Sequence, residues 1–154
     1  MADTNLLRSQ AILRMPVDYV DATLILHDGE RSDVIFFVPP NEDIARVISE
    51  GNAFVPVMRN AKICLVARAS IACIGVVVKA ATSRDEGDLP TEQQHVTVKL
   101  CSGMMMEGEL RWTSVTGGKR TADHLNSSAS YFELRAADKA YYVMKAHVAT
   151  VQEV

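Results

Sequence analysis

The chain has 154 residues, a hydrophobic fraction of 48%, a charged fraction of 23% and a formal net charge of −3. This composition is typical of a folded globular protein and excludes a disordered, collagen-like or coiled-coil chain. The acidic balance supplies no overall positive field for a polyanion, so a nucleic-acid site would require a local basic patch.

Residues 1–19 predict a short amphipathic helix that covers one end of the fold. Its apolar positions are Leu6, Leu7, Ala11, Ile12 and Leu13. Asp3, Arg8 and Arg14 interrupt the apolar residues that a signal peptide would need, which indicates a cytoplasmic protein.

The cysteines are odd in number and form no Cys-x-x-Cys pair; they are Cys64, Cys73 and Cys101. Each lies in an apolar, strand-like run, so the sequence predicts buried thiols in a reducing compartment. Because no metal-ligand spacing is present either, we expect no metal and no cofactor.

Two segments of the chain repeat each other in order and spacing. Thr23, Leu26 and Gly29 recur as Thr97, Leu100 and Gly103, each displaced along the chain by the same interval (from 23 to 97). Farther along, Lys62, Val66, Ala69 and Ala72 recur as Lys139, Val143, Ala146 and Ala149, at a slightly longer interval (from 62 to 139). The longer interval indicates a three-residue insertion in the middle loop of the second copy. The pattern predicts a tandem duplication, and the alternative is two similar stretches of ordinary β sequence.

The repeat divides the chain into an N-terminal helix (1–19), a first repeat (20–80), a linker (81–94) and a second repeat (95–154). The linker is polar and charged and contains Gly87 and Pro90, which is typical of a solvated connection.

Within each copy, alternating residues lead into a turn at Gly29 or Gly103 and then into a second strand. A short helix or turn follows in residues 39–52, with Asn41 as a possible cap, and an equivalent turn follows in residues 117–128. Three more β runs complete each copy. The sequence therefore predicts a mostly β fold made of two tandem, small, five-stranded bent sheets or barrels.

The second copy resembles the Sm and Sm-like (LSm/Hfq) family, and the first copy does so through the repeat. The residues that carry the resemblance are Val98, Leu100, Gly103, Gly108, Leu110, Trp112, Asn126 and the strand ending from Val143 to Val151. The resemblance implies a helix followed by a five-stranded bent barrel, and assembly into rings through strand edges.

Sm proteins bind RNA through an Asp-x-x-x-Asn loop and an Arg-Gly turn. Asn126 matches the family asparagine, whereas the Arg-Gly turn is replaced by Ala67-Arg68-Ala69 in the first copy and by Met144-Lys145-Ala146 in the second. The fold of the family is therefore expected here without its RNA-binding motifs.

A basic loop after Gly117-Gly118 is the best candidate for binding RNA or another anion. The candidate residues in and directly after this loop are Lys119, Arg120, His124 and Asn126, and Lys145, at the position of the family's Arg-Gly turn, is a further candidate. Cations interleaved with aromatic rings can form a surface for single-stranded nucleic acid. The alternative is an ordinary, solvated sheet surface.

A protein-binding surface is predicted at Met104, Met105, Met106 and Trp112. Strand alternation places Met105 and its neighbours on opposite faces, so at least one methionine should be exposed, and exposed methionines often mark partner sites. The alternative is that they are covered by the rest of the chain.

Taken together, these features favour a non-enzymatic interaction module that binds a protein partner and self-associates, either as a closed internal pair or as a trimer that mimics a hexamer. RNA binding through Lys119 and Arg120 is the alternative. An enzyme is the weakest hypothesis, because only Asp123 beside His124 and the loop glycines support it.

Overall fold

The structure is a computed structural model that describes residues 17–78, 91–113 and 120–154. Residues 1–16 of the predicted N-terminal helix, residues 81–90 of the predicted linker, and Gly117, Gly118 and Lys119 of the basic loop lie outside the described residues. The strands are β1 (Asp18–Leu26), β2 (Arg31–Val38), β3 (Phe54–Arg59), β4 (Lys62–Ala67), β5 (Ile71–Val77), β6 (Thr91–Leu100), β7 (Met105–Thr113), β8 (Tyr131–Ala136), β9 (Lys139–Met144) and β10 (Val148–Glu153). The helices are α1 (Ile44–Ser49) and α2 (Thr121–Leu125), and single 3-10 turns occupy Arg68–Ser70 and Lys145–His147.

The predicted mostly β fold is confirmed. The described strands form one open antiparallel sheet in the order β10-β6-β7-β8-β9-β5-β1-β2-β3-β4. Strands β1 to β5 make up one half of the sheet and β6 to β10 the other, and both halves have the same internal strand order. The halves meet where β5 pairs with β9, so the described strands form one continuous sheet and not two separate closed barrels.

Two boundaries differ from those predicted. β6 begins at Thr91 and not at His95, because residues 91–94 pair with the end of β7, with Glu92 opposite Trp112. β1 begins at Asp18, where it pairs with Val38 at the end of β2. Cross-strand pairing therefore extends β6 into part of the predicted linker and β1 into the end of the predicted N-terminal helix.

The hairpin turns of the two halves have the same geometry. Gly29 and Gly103 have positive φ angles of 92° and 94°, a conformation that glycine adopts without a steric penalty. The backbone nitrogen of Leu26 donates to the Glu30 oxygen at 2.9 Å, and that of Leu100 donates to the Met104 oxygen at 2.9 Å. The two turns, which correspond in sequence by the shorter repeat interval (from 29 to 103), therefore also have the same backbone conformation.

The helices lie at equivalent places in the two halves. α1 is capped by Asp43, whose Oδ1 accepts a hydrogen bond from the Arg46 nitrogen at 2.9 Å. Asn41, the expected cap, has a φ of 65° in the preceding turn and lies outside the helix. The prediction of Asn41 as the cap was therefore wrong, because Asp43 directly precedes the first buried position of the helix.

Each half of the sheet covers its own hydrophobic cluster. The first cluster is centred on Phe36, Leu24 and Ile48, and the second on Leu110, Leu134 and Val98, all of which are fully buried or nearly so. In the part of the chain that the structure describes, no helix is long and apolar enough to cross a membrane. Within the same residues, no group of three or more metal-ligating side chains is assembled.

Candidate functional site: the joint between the halves and the open edges

The joint between β5 and β9 holds the two halves together. Its antiparallel register places Cys73 opposite Val143, Ile74 opposite Tyr142 and Gly75 opposite Tyr141. Beyond the last strand pair, the Val78 nitrogen donates to the Asp138 oxygen at 2.7 Å. The joint is therefore a continuous backbone ladder, supported on both faces by apolar side chains.

Gly75 leaves space in the joint for a ring from the other half. A Cβ atom at Gly75 would lie 2.6 Å from Cε1 of Tyr141, well inside the normal contact distance. The ring of Tyr141 therefore occupies the space that any larger residue at position 75 would need. Glycine at this position serves close packing and not a turn.

Each core extends across the joint into the other half. Tyr142 and Met144, from the second half, pack against the first cluster. Ile25, Ala72 and Cys73, from the first half, belong to the second cluster.

The cysteine thiols differ in burial, and burial changes the pKa of one of them. It raises the pKa of the Cys73 thiol from 9.0 to about 12, so this thiol stays protonated at neutral pH. The predicted burial is confirmed for Cys73, and Cys64 is half-buried. Cys101 lies exposed in a turn, contrary to the prediction, because the apolar run that contains it ends in the β6–β7 hairpin.

The outer edges of the sheet, β4 and β10, carry no neighbouring strand among the described residues. By position in their halves, β4 is the counterpart of β9, and β10 is the counterpart of β5. Ala140 of β9 is 1% exposed, but its counterpart Ile63 is 59% exposed, and Leu65 is 64% exposed. Equivalent positions of the two halves are thus buried in the strand at the joint and exposed in the strand at the edge.

Phe54, on the strand next to β4, is 58% exposed and lies on the same face of the sheet as Ile63 and Leu65. We refer to Phe54, Ile63 and Leu65 as the β4 patch. Exposed edges and contiguous apolar surface are features that folded proteins normally cover.

The predicted methionine surface is only partly assembled. Met105 is 59% exposed, which confirms that at least one of the three methionines faces solvent, while Met104 and Met106 pack against the second cluster. Trp112 lies near the other end of β7, roughly 23 Å from Met105 at the usual rise of a strand. Trp112 is buried and does not share a surface with Met105.

Trp112 instead joins a cluster with residues of α2. Its ring stacks on His124 with centroids 5.2 Å apart, and its Nε1 donates to Oε2 of Glu92 at 3.0 Å. A cleft of about 540 Å³ beside this cluster is lined by Arg120 together with Glu92 and Glu153. The predicted basic and aromatic surface is therefore of mixed charge at this point.

The remaining residues of the predicted anion site have structural contacts. Arg120 precedes α2, and its backbone nitrogen donates to Oδ2 of Asp123 at 3.0 Å. Asn126 follows the helix, and its nitrogen donates to the Ala122 oxygen at 2.9 Å. Asp123, the one suggested partner of His124, thus caps the helix, while His124 packs on Trp112.

Lys145 and Arg68, at the position of the family's Arg-Gly turn, both bond to a backbone oxygen near the end of a helix. Nζ of Lys145 donates to the Ser127 oxygen at 3.0 Å, just after α2, and desolvation lowers the pKa of this amine. Nη2 of Arg68 donates to the Val47 oxygen, near the end of α1, at 3.1 Å. Both cations therefore attach their turn to a helix C-terminus, where the macrodipole favours positive charge.

Comparison with protein-family models, with curated proteins and with solved structures finds no match to this chain. Sequence reasoning did not identify the joint residues Gly75 and Tyr141 or the β4 patch. The sequence does contain a lone glycine in one apolar strand and a tyrosine in another. These residues predict a close contact only once it is known that the two strands pair with each other.

Proposed function

We propose that this chain is a non-enzymatic interaction module built from two Sm-like repeats, which self-associates through its sheet edges and binds a protein partner. The family resemblance and the two matching intervals of the repeat support the tandem interpretation. The capping and packing roles of Asp123 and His124 support a non-enzymatic interpretation of the one residue pair that suggested catalysis.

The observation that carries the proposal is the joint itself. β5 and β9 pair through unlike edges of the two halves, and the strands equivalent to them have no second neighbouring strand among the described residues. An association between unlike edges leaves one edge of each kind free, so it can continue from one chain to the next.

Static light scattering on the purified chain tests self-association. We expect the mass of a trimer, in which six halves complete a ring. A monomer at every concentration up to the solubility limit contradicts the proposal, because the open edges would then be stable without a partner.

Met105 is the proposed contact for a protein partner, since it is exposed beside Lys99 on the neighbouring strand. A photo-crosslinking residue at position 105 should capture a discrete partner in native extract, and the same residue at exposed Tyr19 is the control. Equal labelling of the same proteins from both positions would contradict a specific site at Met105.

RNA binding through Lys119 and Arg120 stays a prediction from the resemblance. It requires salt-dependent binding of single-stranded RNA that Lys119→Ala combined with Arg120→Ala weakens. The engaged positions of Lys145 and Arg68 favour the interaction module over this alternative. Fluorescence anisotropy with mixed-sequence RNA at low salt distinguishes the two functions.

A further inference from the structure

A cleft on the outer face of the sheet, opposite the first hydrophobic cluster, contains several charged and polar side chains. It has a volume of about 360 Å³, and its polar lining comes from Asp21, Thr23, Asp33, Asn60 and Lys139. These residues belong neither to the open edges nor to the predicted methionine and anion surfaces. We infer that the cleft binds a short zwitterionic peptide, of the class of apolar dipeptides, with its ammonium at Asp21 and Asp33 and its carboxylate at Lys139.

The strand register brings these side chains together from both halves of the sheet. Thr23 of β1 lies opposite Asp33 of β2 on one side and opposite Gly75 of β5 on the other. Lys139 of β9 lies opposite Val77 of β5, two positions from Gly75. Because alternate residues of a strand point to the same face, these groups share the outer face of the sheet. The site therefore requires the joint, since its cation comes from the second half and its carboxylates come from the first.

Thr23 is the buried polar residue of the cleft. It lines the cleft and is only 7% exposed, and its hydroxyl makes no hydrogen bond to the described part of the chain. A buried hydroxyl normally has a hydrogen-bond partner, because burial without one sacrifices its hydration. The Thr23 hydroxyl therefore points to a ligand with hydrogen-bonding atoms in the cleft.

The repeat shows which partner the two carboxylates lack. At the shorter interval, Asp21 corresponds to His95 and Asp33 corresponds to Glu107 (from 21 to 95 and from 33 to 107). In the second half these two positions form a pair, with Nε2 of His95 3.0 Å from Oε1 of Glu107. In the first half both positions carry a carboxylate, and neither carboxylate has an ion pair or hydrogen bond within the described residues. Two carboxylates at diagonal strand positions cannot pair with each other, so a ligand ammonium between them would supply the missing partner.

Lys139 supplies the opposite charge from the second half of the sheet. It is half-buried, and its amine has no hydrogen-bond or ion-pair partner in the part of the chain that the structure describes. β9 lies two strands from β1, which separates the backbones of Lys139 and Asp21 by about 10 Å at the usual strand spacing. An extended dipeptide is about 7 Å long, and a single amino acid is about half that length. Because side chains extend towards the ligand from both positions, a dipeptide is long enough to contact both charges.

Apolar side chains form much of the remaining lining. They include Ile35, Met58 and Val77, and Val77 is 65% exposed although β5 has a neighbouring strand on each side. Small-molecule sites are mostly apolar, with a few polar groups that fix the orientation of the ligand. An apolar side chain of the dipeptide would cover Val77, whereas the phosphate of a nucleotide would meet two carboxylates. The lining therefore favours an apolar dipeptide over an anionic ligand.

Blocked forms of one dipeptide test the ligand class. Alanyl-leucine is titrated into the full, isotope-labelled chain and followed by NMR, and we expect the amides of Thr23, Gly75 and Val77 to shift. N-acetyl-alanyl-leucine and alanyl-leucinamide should each bind at least about tenfold more weakly, because each lacks one charge for a charge-assisted hydrogen bond. Free leucine should also bind about tenfold more weakly, because it is too short to contact both charges.

Substitutions in the cleft test its location. Asp33→Asn, Lys139→Met and Asp21→His should each lower the affinity for alanyl-leucine by about tenfold. Asp21→His acts by giving Asp33 the internal partner that Glu107 has in the second half. Glu107→Gln is the matched control, at the counterpart of Asp33 outside the cleft, and should leave the affinity unchanged. Thr23→Val removes the hydroxyl at nearly constant shape and should weaken binding, whereas Thr23→Ser keeps the hydroxyl and should bind more tightly than Thr23→Val.

Alanyl-leucine that does not bind up to its solubility limit would overturn the inference. Equal affinity for the blocked forms or for free leucine would do the same, as would an affinity that the cleft variants leave unchanged. If Thr23→Val fails to fold, Asp33→Asn and Lys139→Met still decide the question, because both positions lie outside the two hydrophobic clusters. The inference is independent of the proposed self-association, since a monomer that binds the dipeptide would contradict only the self-association.

Discussion

β5 and β10 occupy the same place in the two halves of the sheet, yet β5 is the most buried of the described strands and β10 lies at the edge of the described sheet. Ile71 to Ile74 are fully buried or nearly so, while Val148 to Val151 are only half-buried or exposed. The sequences are correspondingly different, with Ala-Cys-Ile-Gly in β5 and Ala-Thr-Val-Gln in β10. In these two strands burial therefore follows the presence of a neighbouring strand on both sides, and the polar residues of β10 suit a strand that has only one neighbour in the described part of the chain.

Thiol reactivity should show the largest contrast. Cys73 lies in the joint and stays protonated, whereas Cys101 is exposed in a turn. Alkylation needs the thiolate and access, so we expect Cys73 to react more slowly by a factor of about 10³ or more. Peptide-resolved mass spectrometry after timed alkylation measures both rates. Comparable rates would mean that the joint opens readily in the native state.

Truncation of the central joint residue should have a large effect on stability. Ile74→Ala removes a fully buried side chain and is expected to lower the free energy of unfolding by about 2–5 kcal/mol. Val151→Ala, its counterpart at the open edge, should cost less than about 1 kcal/mol in the monomer. Urea unfolding followed by the fluorescence of the single tryptophan compares them. Equal losses would contradict the difference between joint and edge.

A methyl group at position 75, where the Tyr141 ring occupies the space, should have a smaller effect. Gly75→Ala forces Tyr141 to move and is expected to cost about 1–3 kcal/mol. In a Tyr141→Ala background the same change should cost clearly less, because the ring is no longer there. Urea unfolding of the four proteins in this double-mutant cycle provides the coupling energy. A coupling near zero would show that the joint does not depend on this contact.

Loss of the α1 cap should have the smallest of these effects. Asp43→Ala removes the acceptor for the Arg46 nitrogen and should lower the free energy of unfolding by about 0.5–2 kcal/mol. Asp43→Asn keeps an acceptor and is the matched control. The comparison again uses urea unfolding, and identical losses in the two variants would assign the effect to charge and not to the hydrogen bond.

Local patterns predicted the strands well. The second strand expected after the turn at Gly29 is β2, whose Val34, Phe36 and Val38 are buried. The short helix or turn expected within residues 39–52 is α1, whose Ile44 and Ile48 side chains pack in the first cluster. These features depend on neighbours close together in the chain, which is why periodicity detects them.

The joint could not be predicted in the same way. Gly75 and Tyr141 are distant in sequence, and either residue alone fits many strands. Trp112 was expected on a surface with the methionines, but its ring is buried and stacks on His124 of α2. Contacts between distant elements decided both cases, and local periodicity carries no information about them.

Hydrogen exchange at several protein concentrations tests the central claim most directly. Backbone amides of β5 and β9 should stay protected at all concentrations, since their partners lie in the same chain. Amides of β4 and β10 that point away from the sheet should be protected at high concentration and lose protection on dilution, as copies separate. Rapid exchange of these edge amides at every concentration would contradict assembly through the open edges.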